Sequence, residues 1–377
     1  MSESAQSITV PMADLAAQHQ QLREELRTAF DAVMEKSQFI LGPSVTALEQ
    51  EIAASCGTQR GLGVGSGTDA LLLSLVALGI GPGDEVITTP FTFVATAEVV
   101  MLVGATPVFA DIDPATFNID PKSVAKLVTE KTKAIIPVYL FGQMADVDAL
   151  NAIAADRGIP IIADAAQAIG ASYQGRPIGG WSDLTTLSFF PTKNLGACGD
   201  AGMILTDSDE LAEKIRLVRF HGSGGGYFYK EIGYCSRLDE IQAALLRVKA
   251  KRLDAWNEAR RANAALYTEA LSGISESLTT PYTAEGNEHI FHQYTLRIGD
   301  GRRDDLQRFL ASKSISSAVY YPLALHLQDA YRTLGYNEGD LPESERATRE
   351  VLSLPVHPDL ERRQIEYVID AVTEFFK

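Results

Sequence analysis

The 377-residue chain is 46% hydrophobic and 22% charged, a globular composition long enough for two domains or one large one with an appendage. Its formal net charge of −16 argues against general binding to nucleic acid or to an anionic membrane, both of which need a basic face, while leaving room for local phosphate pockets. Cys56, Cys198 and Cys235 are scattered without CxxC spacing, the N-terminus has no basic start or apolar stretch, and the longest apolar run contains Gly104 and Pro107; a soluble cytoplasmic protein without a disulfide framework, metal site or membrane span is expected.

Leu15, Leu22, Leu26, Phe30 and Val33 recur at helical spacing and predict one amphipathic helix over 13–36. Phe39–Pro43 reads as a turn, and Ser44–Ala54 as a second helix capped by Ser44. The glycine-rich stretch Gly61–Ala70 then leads into the apolar run Leu71–Leu78. Its glycines let the backbone curl, Thr68 or Asp69 starts a helix, and the free N–H groups at that N-terminus suit a phosphate. Gly65–Ala70 also fits the loose dinucleotide pattern G-x-G-x-x-A. The next strand, Glu85–Thr89, ends in Thr and Pro90 instead of the acid that would hold a ribose. A phosphate cradle without a dinucleotide is the better reading.

From here strands and helices alternate. Strands are predicted at 85–89, 107–111, 134–139, 159–164, 184–190 and 203–206, with helices at 92–103, 124–128, 147–155 and 208–218. Alternation of this kind predicts an α/β fold with a mostly parallel sheet covered on both faces, and ligands at the carboxyl ends of its strands. Phe93, Asp164, Ser188 and Lys193 fall at or just past such ends. Residues 222–226 read as a flexible glycine loop and Asp239–Trp256 as a long helix, with Lys249, Lys251 and Arg252 on a solvated face. After Trp256 come a helix at 258–271, a polar connector at 272–288, a strand at 293–298, a helix at 303–312, a strand at 317–321 and a helix at 364–376. The expected division is a large domain, 1–255, and a smaller C-terminal α+β domain, 256–377.

Four residues form a constellation. Lys193 follows a buried strand on a turn freed by Gly196 and Gly199, where it could reach a bound aldehyde while partly desolvated. Asp164 ends a strand after three apolar residues, so its carboxylate will be partly buried and in want of a cation. With Phe93 and Ser188 these match what pyridoxal phosphate needs: a lysine, an acid against the ring nitrogen, an aromatic on the ring face and a phosphate cup. Taken singly each has an ordinary reading: a solvated turn lysine, a helix cap or salt bridge, a core aromatic, a strand hydroxyl. The four in this order do not share one.

The chain resembles the DegT/StrS family of sugar aminotransferases, fold type I enzymes dependent on pyridoxal phosphate. The resemblance runs over nearly the whole chain, through Asp14-Leu15, Phe39–Pro43, Ser66–Ala70, Gly83–Ile87, Thr92–Thr96, Asp164–Ala168, Ser188–Gly196, Ser236–Ala243, Tyr321-Pro322, Leu325–Gln328 and Leu354-Pro355. It implies Lys193 as the Schiff-base lysine, Asp164 on the pyridinium, Gln167 near the phenolic oxygen and Phe93 on the ring. Gly67, Thr68, Asp69 and Ser188 would form the phosphate cradle. Where the family has a phosphate-binding Asn from the neighbouring subunit this chain has Cys235, a poorer donor, with Ser236 or a water as replacement. The resemblance places Tyr321 and His326 in the sugar site and His221 and Tyr227 near the shared site. Arg219 and Arg237 are candidates for a carboxylate or diphosphate, against the commoner surface salt bridge, and Gln293-Tyr294 reads as small-domain core with a polar edge. The resemblance further implies a homodimer, glutamate as amino donor and a nucleotide-linked keto-sugar as acceptor. A dehydratase relative would lack Lys193, and a non-catalytic regulatory relative would be expected to lose Lys193 or Asp164.

Overall fold

The computed structural model describes residues 8–377. Seven strands form the central sheet: β1 (Arg60–Val64), β2 (Glu85–Thr88), β3 (Thr106–Phe109), β4 (Thr132–Ile135), β5 (Ile162–Asp164), β6 (Leu184–Ser188) and β7 (Gly202–Thr206). Their order is β3-β2-β4-β5-β6-β7-β1, with β4 and β5 joined by the parallel bridges Ile135–Ile161 and Val138–Asp164. Only β7 runs against its neighbours, so the expectation of a mostly parallel sheet is borne out. The strands are short and buried along almost their whole length, as strands covered on both faces must be.

Two predicted helices are each two. The first breaks at Leu22 into α1 (Leu15–Gln21) and α2 (Arg23–Lys36), because Leu22 turns into the core with a non-helical backbone. Next comes α3 (Pro43–Ser55), whose N-cap is Gly42, not Ser44. The carboxylate of Glu240, from far along the chain, accepts the amides of Ser44 at 2.6 Å and Val45 at 3.0 Å, so a distant acid does the capping. Four helices of the large unit follow: α4 (Gly67–Ala77), α5 (Ala95–Leu102), α6 (Pro121–Leu127) and α7 (Val147–Arg157). After α8 (Asp209–Val218), the predicted Asp239–Trp256 helix is α9 (Glu240–Ala250) and the start of α10 (Leu253–Leu271), with the break at Lys251 and Arg252. Lys249 is not solvated as expected. It is buried, donating to the Gly196 carbonyl at 2.7 Å and lying 2.9 Å from His19 Nε2.

Position 255 lies in the first turn of α10, which starts in the core of the large unit at Leu253 and ends in that of the C-terminal unit at Tyr267 and Leu271. That second unit is an antiparallel sheet, β8 (Leu278–Thr279), β9 (Tyr294–Ile298) and β10 (Val351–Leu354) in the order β8-β9-β10. Its core includes residues of α10, α11 (Arg303–Ser312) and the C-terminal helix Arg362–Phe376. Val10, near the start of the chain, packs in this second core and bridges to Ile315. The predicted strand at 317–321 is a single bridge, Ala318–Ser353, after which Tyr320 and Tyr321 leave for the cavity described next. Among the described residues no helix is long and apolar enough to cross a membrane.

Candidate active site

A cavity of about 500 Å³ opens at the carboxyl ends of β5 and β6. Gly67, Thr68, Phe93, Asp164, Gln167, Ser188, Lys193 and Tyr321 all line it, gathered from segments more than 250 residues apart. Asp164 closes β5 and Ser188 closes β6. Lys193 stands on the connection between β6 and its antiparallel neighbour β7, so both ends of its loop are anchored in adjacent strands. The turn closes through the Lys193 amide, which donates to the Phe190 carbonyl at 2.8 Å. Gly196 is required there, since a Cβ would stand 2.2 Å from the Pro191 carbonyl oxygen.

Asp164 is buried, and burial holds its carboxyl above the ordinary carboxylate range. Three features oppose that shift. Thr96 Oγ1 donates to Oδ2 at 2.8 Å, the Ala166 amide donates to Oδ1 at 3.2 Å, and Lys193 contributes its charge. Asp164 belongs to no ion pair among the described residues, so its anion lacks a direct cationic partner. Lys193 is packed round by protein and meets solvent only in part. Desolvation lowers its ammonium to about 8, with Asp164 pulling the other way. Gln167 Oε1 accepts the Phe141 amide at 2.9 Å, which orients its Nε2 toward the Tyr321 hydroxyl at 3.3 Å.

The cradle forms where α4 meets β6. Ser66 caps the helix, its Oγ accepting the Asp69 amide at 3.0 Å. The first-turn amides of Gly67 and Thr68 have no intrahelical acceptor and adjoin the cavity. A Cβ on Gly67 would stand 2.7 Å from Ser188 Cβ, so only glycine lets the helix end and the serine come this close. Phe93 is 56% exposed on the cavity wall, an aromatic face left uncovered by protein. An unpaired acid, a desolvated lysine, a helix-end cradle and a bare ring together fit the pyridoxal phosphate expected above.

Four expected contacts do not line this chain's cavity. Asp69 does not line the cavity; its Oδ2 accepts from Ser236 Oγ at 2.8 Å, and a carboxylate facing a phosphate would repel it. Ser236 is buried in that bond and in a 3.2 Å bond from the Gly65 amide, so it does not replace the missing Asn. His326 is also off the cavity wall. The short turn Leu325–Leu327 carries it inward, with Nε2 3.1 Å from Glu345 Oε1. Cys235 is exposed on the surface, 2.9 Å from an Arg237 nitrogen. Arg219 is a buried structural residue bound to Glu49 and the Gly63 carbonyl, while Arg237 lies over the Phe220 ring. His221 and Tyr227 are exposed.

Sequence reasoning missed Thr96 and His292 as site residues and read Gln293-Tyr294 as core with a polar edge; Tyr294 is in the second core and Gln293 is at the cavity. The spacing of Thr92 and Thr96, one helical turn apart, was the available signal for the first. Both His292 and Gln293 line the cavity, and no local pattern marks either.

The sequence pattern of the DegT/DnrJ/EryC1/StrS aminotransferase family matches residues 20–373. A Geobacillus stearothermophilus protein named as a pleiotropic regulatory protein is 53% identical over 371 residues, 98% of this chain and 99% of that one. A Streptomyces venezuelae dTDP-3-amino-3,4,6-trideoxy-alpha-D-glucose transaminase is 44% identical, covering 100% of this chain and 98% of its own. The crystal structure of S. venezuelae DesV in complex with a ketimine intermediate superposes with a TM-score of 0.96 at 43% identity, over 98% of this chain and 99% of that one.

Proposed function

The chain belongs to the DegT/DnrJ/EryC1/StrS aminotransferase family, and from that premise we propose that it transfers an amino group from L-glutamate to a nucleotide-linked keto-sugar, using pyridoxal phosphate held on Lys193. The observation that carries this reading is the buried, ion-pair-free Asp164 in the same cavity as the desolvated Lys193.

When bound, pyridoxal phosphate supplies a carbonyl that exchanges with amines and a ring that withdraws electrons from the donor carbon. The residues do the rest. Gly67 and Thr68 amides and Ser188 Oγ would hold the phosphate. Asp164, whose ionised form the Thr96 and Ala166 hydrogen bonds favour against burial, would hold the proton on the ring nitrogen. Phe93 would cover one face of the ring and exclude water from it, and the Gln167–Tyr321 pair would lie at its phenolic edge. Lys193 would take the proton from the donor Cα and return it one carbon away. An amine lowered to about 8 can both accept and give a proton near neutral pH, as that shuttle requires.

A dTDP-sugar transaminase among the relatives supports a nucleotide-linked sugar as acceptor. A regulatory role is favoured by the name of the 53% identical relative, but the retained Lys193 and Asp164 favour catalysis; simpler amines or ketones as substrates are the narrower alternative. A homodimer is part of the proposal. Tyr227, Phe228 and Ile232 are 90%, 81% and 91% exposed on the 222–237 loop, apolar area that a second copy would cover. It would work in the cytoplasm, where Cys56, Cys198 and Cys235 stay reduced.

The test is the visible spectrum of the protein with pyridoxal phosphate, before and after glutamate. A band that glutamate bleaches is expected. A band that glutamate leaves untouched would refute the donor, and no band would put the regulatory reading first.

A further inference from the structure

A chain of three side chains leads away from the catalytic lysine. Asn257, on α10, donates from Nδ2 to the Ile169 carbonyl at 3.0 Å. A backbone carbonyl can only accept, so the orientation of this amide is fixed. Its Oδ1 then accepts from Asn194 Nδ2 at 2.7 Å, which leaves Asn194 Oδ1 as an acceptor. His292 Nδ1 lies 3.0 Å from that oxygen and must be the protonated nitrogen. All three residues are buried. Room for the chain is built in: a Cβ on Gly170 would stand 2.4 Å from Asn257 Nδ2. The backbone of His292 is held as well, Arg260 donating to the Phe291 and His292 carbonyls at 3.2 and 3.3 Å.

Asn194 is the residue after Lys193, while His292 comes from the segment that enters the C-terminal sheet and lines the same cavity as the lysine. We infer that His292 is a positioning residue for Lys193, acting through Asn194: its Nδ1–H and Asn257 clamp the residue next to the lysine and fix where the amine stands. Burial, Lys193 and Arg260 all keep the imidazole neutral, so it does not repel the cation it places. The inference rests on the catalytic role of Lys193 proposed above.

The test is a pH titration of the visible band of the protein loaded with pyridoxal phosphate, without amino donor, alongside steady-state kinetics. His292→Ala frees Asn194 and lets the lysine nitrogen reach water, which favours its charged form; the midpoint rises by about half a pH unit or more. In parallel, kcat falls about tenfold while KM for the donor stays within about twofold. His292→Asn keeps a donor at the Nδ1 position, moves the midpoint less than half as far and recovers most of kcat. An unmoved midpoint in His292→Ala overturns the inference, whatever happens to stability. A His292→Asn protein identical to the alanine variant overturns the route through Asn194. Should His292→Ala not fold, Asn257→Ala cuts the same chain away from the cavity wall, and an unmoved midpoint there is equally fatal. Absence of any band in the wild-type protein sinks the functional reading and this inference with it, and is told apart from a band that titrates normally.

Discussion

Thr96 Oγ1 donates a 2.8 Å hydrogen bond to Asp164 Oδ2, joining helix α5 to the end of strand β5 beneath the cavity, and Thr92 Oγ1 lies 3.2 Å behind it. The bond opposes the desolvation that favours the neutral acid. Thr96→Val should therefore lower kcat about tenfold, a loss of roughly 1.4 kcal/mol of transition-state stabilisation, and Thr96→Ser should restore it. Asp164→Ala should lower it much further. Glutamate-dependent turnover measures all three, and an unchanged Asp164→Ala rate would refute its place at the ring nitrogen.

Lys193→Ala should abolish transamination while circular dichroism shows an intact fold. The side chain makes no hydrogen bond among the described residues through which it would support its surroundings. Normal turnover by this variant would end the assignment.

The same lysine should cost stability in the cofactor-free protein. Its folded value, about 8, lies below the ordinary 10.5. The unfolded chain thus binds more protons between those values, and stability rises with pH across that window. Below about 8 the penalty is complete; above 10.5 it is gone. Lys193→Met should raise unfolding free energy at pH 7 by up to about 3 kcal/mol, an advantage that shrinks on titrating toward pH 10. Urea melts at both pH values check it, and a pH-independent difference would contradict it.

Gly67→Ala should weaken pyridoxal phosphate binding about tenfold or more, because the new Cβ collides with Ser188 in the anion cradle. Fluorescence titration with the cofactor reads this directly. Wild-type affinity would show that the phosphate sits elsewhere.

Glu240→Ala should destabilise the fold by about 2 kcal/mol, since the Ser44 and Val45 amides at the start of α3 lose a buried charged acceptor. Thermal unfolding should show a lower midpoint, with Glu240→Gln between the two. An unshifted alanine variant would mean that water caps the helix as well.

The order of elements in the large unit was legible because strands covered on both faces leave unbroken apolar runs, and Lys193, Asp164, Phe93 and Ser188 fall where such runs stop. What local pattern did not carry was side-chain direction. Leu22 fits the helical spacing of 13–36, yet its burial ends one helix and starts another. Lys249 looks like one more solvated cation until the fold sets a carbonyl and an imidazole beside it. Residues 317–321 have strand-like composition, but Ala318 alone bridges to the sheet, at Ser353, while Tyr320 and Tyr321 turn to the cavity. His326 and Asp69 sit in motifs that imply ligand contact, while Glu345 and Ser236, remote in sequence, claim their side chains.

Helix α10 begins in one hydrophobic core and ends in the other. A chain severed at 255 would leave most of this helix on the C-terminal fragment, with residues such as Trp256 and Asn257 stripped of their neighbours in the N-terminal one. Anyone splitting the enzyme into complementing halves, or grafting its C-terminal unit onto a relative, would do better to cut between the end of α10 and β8. The helix would then travel whole with the lysine loop that Asn257 helps to hold.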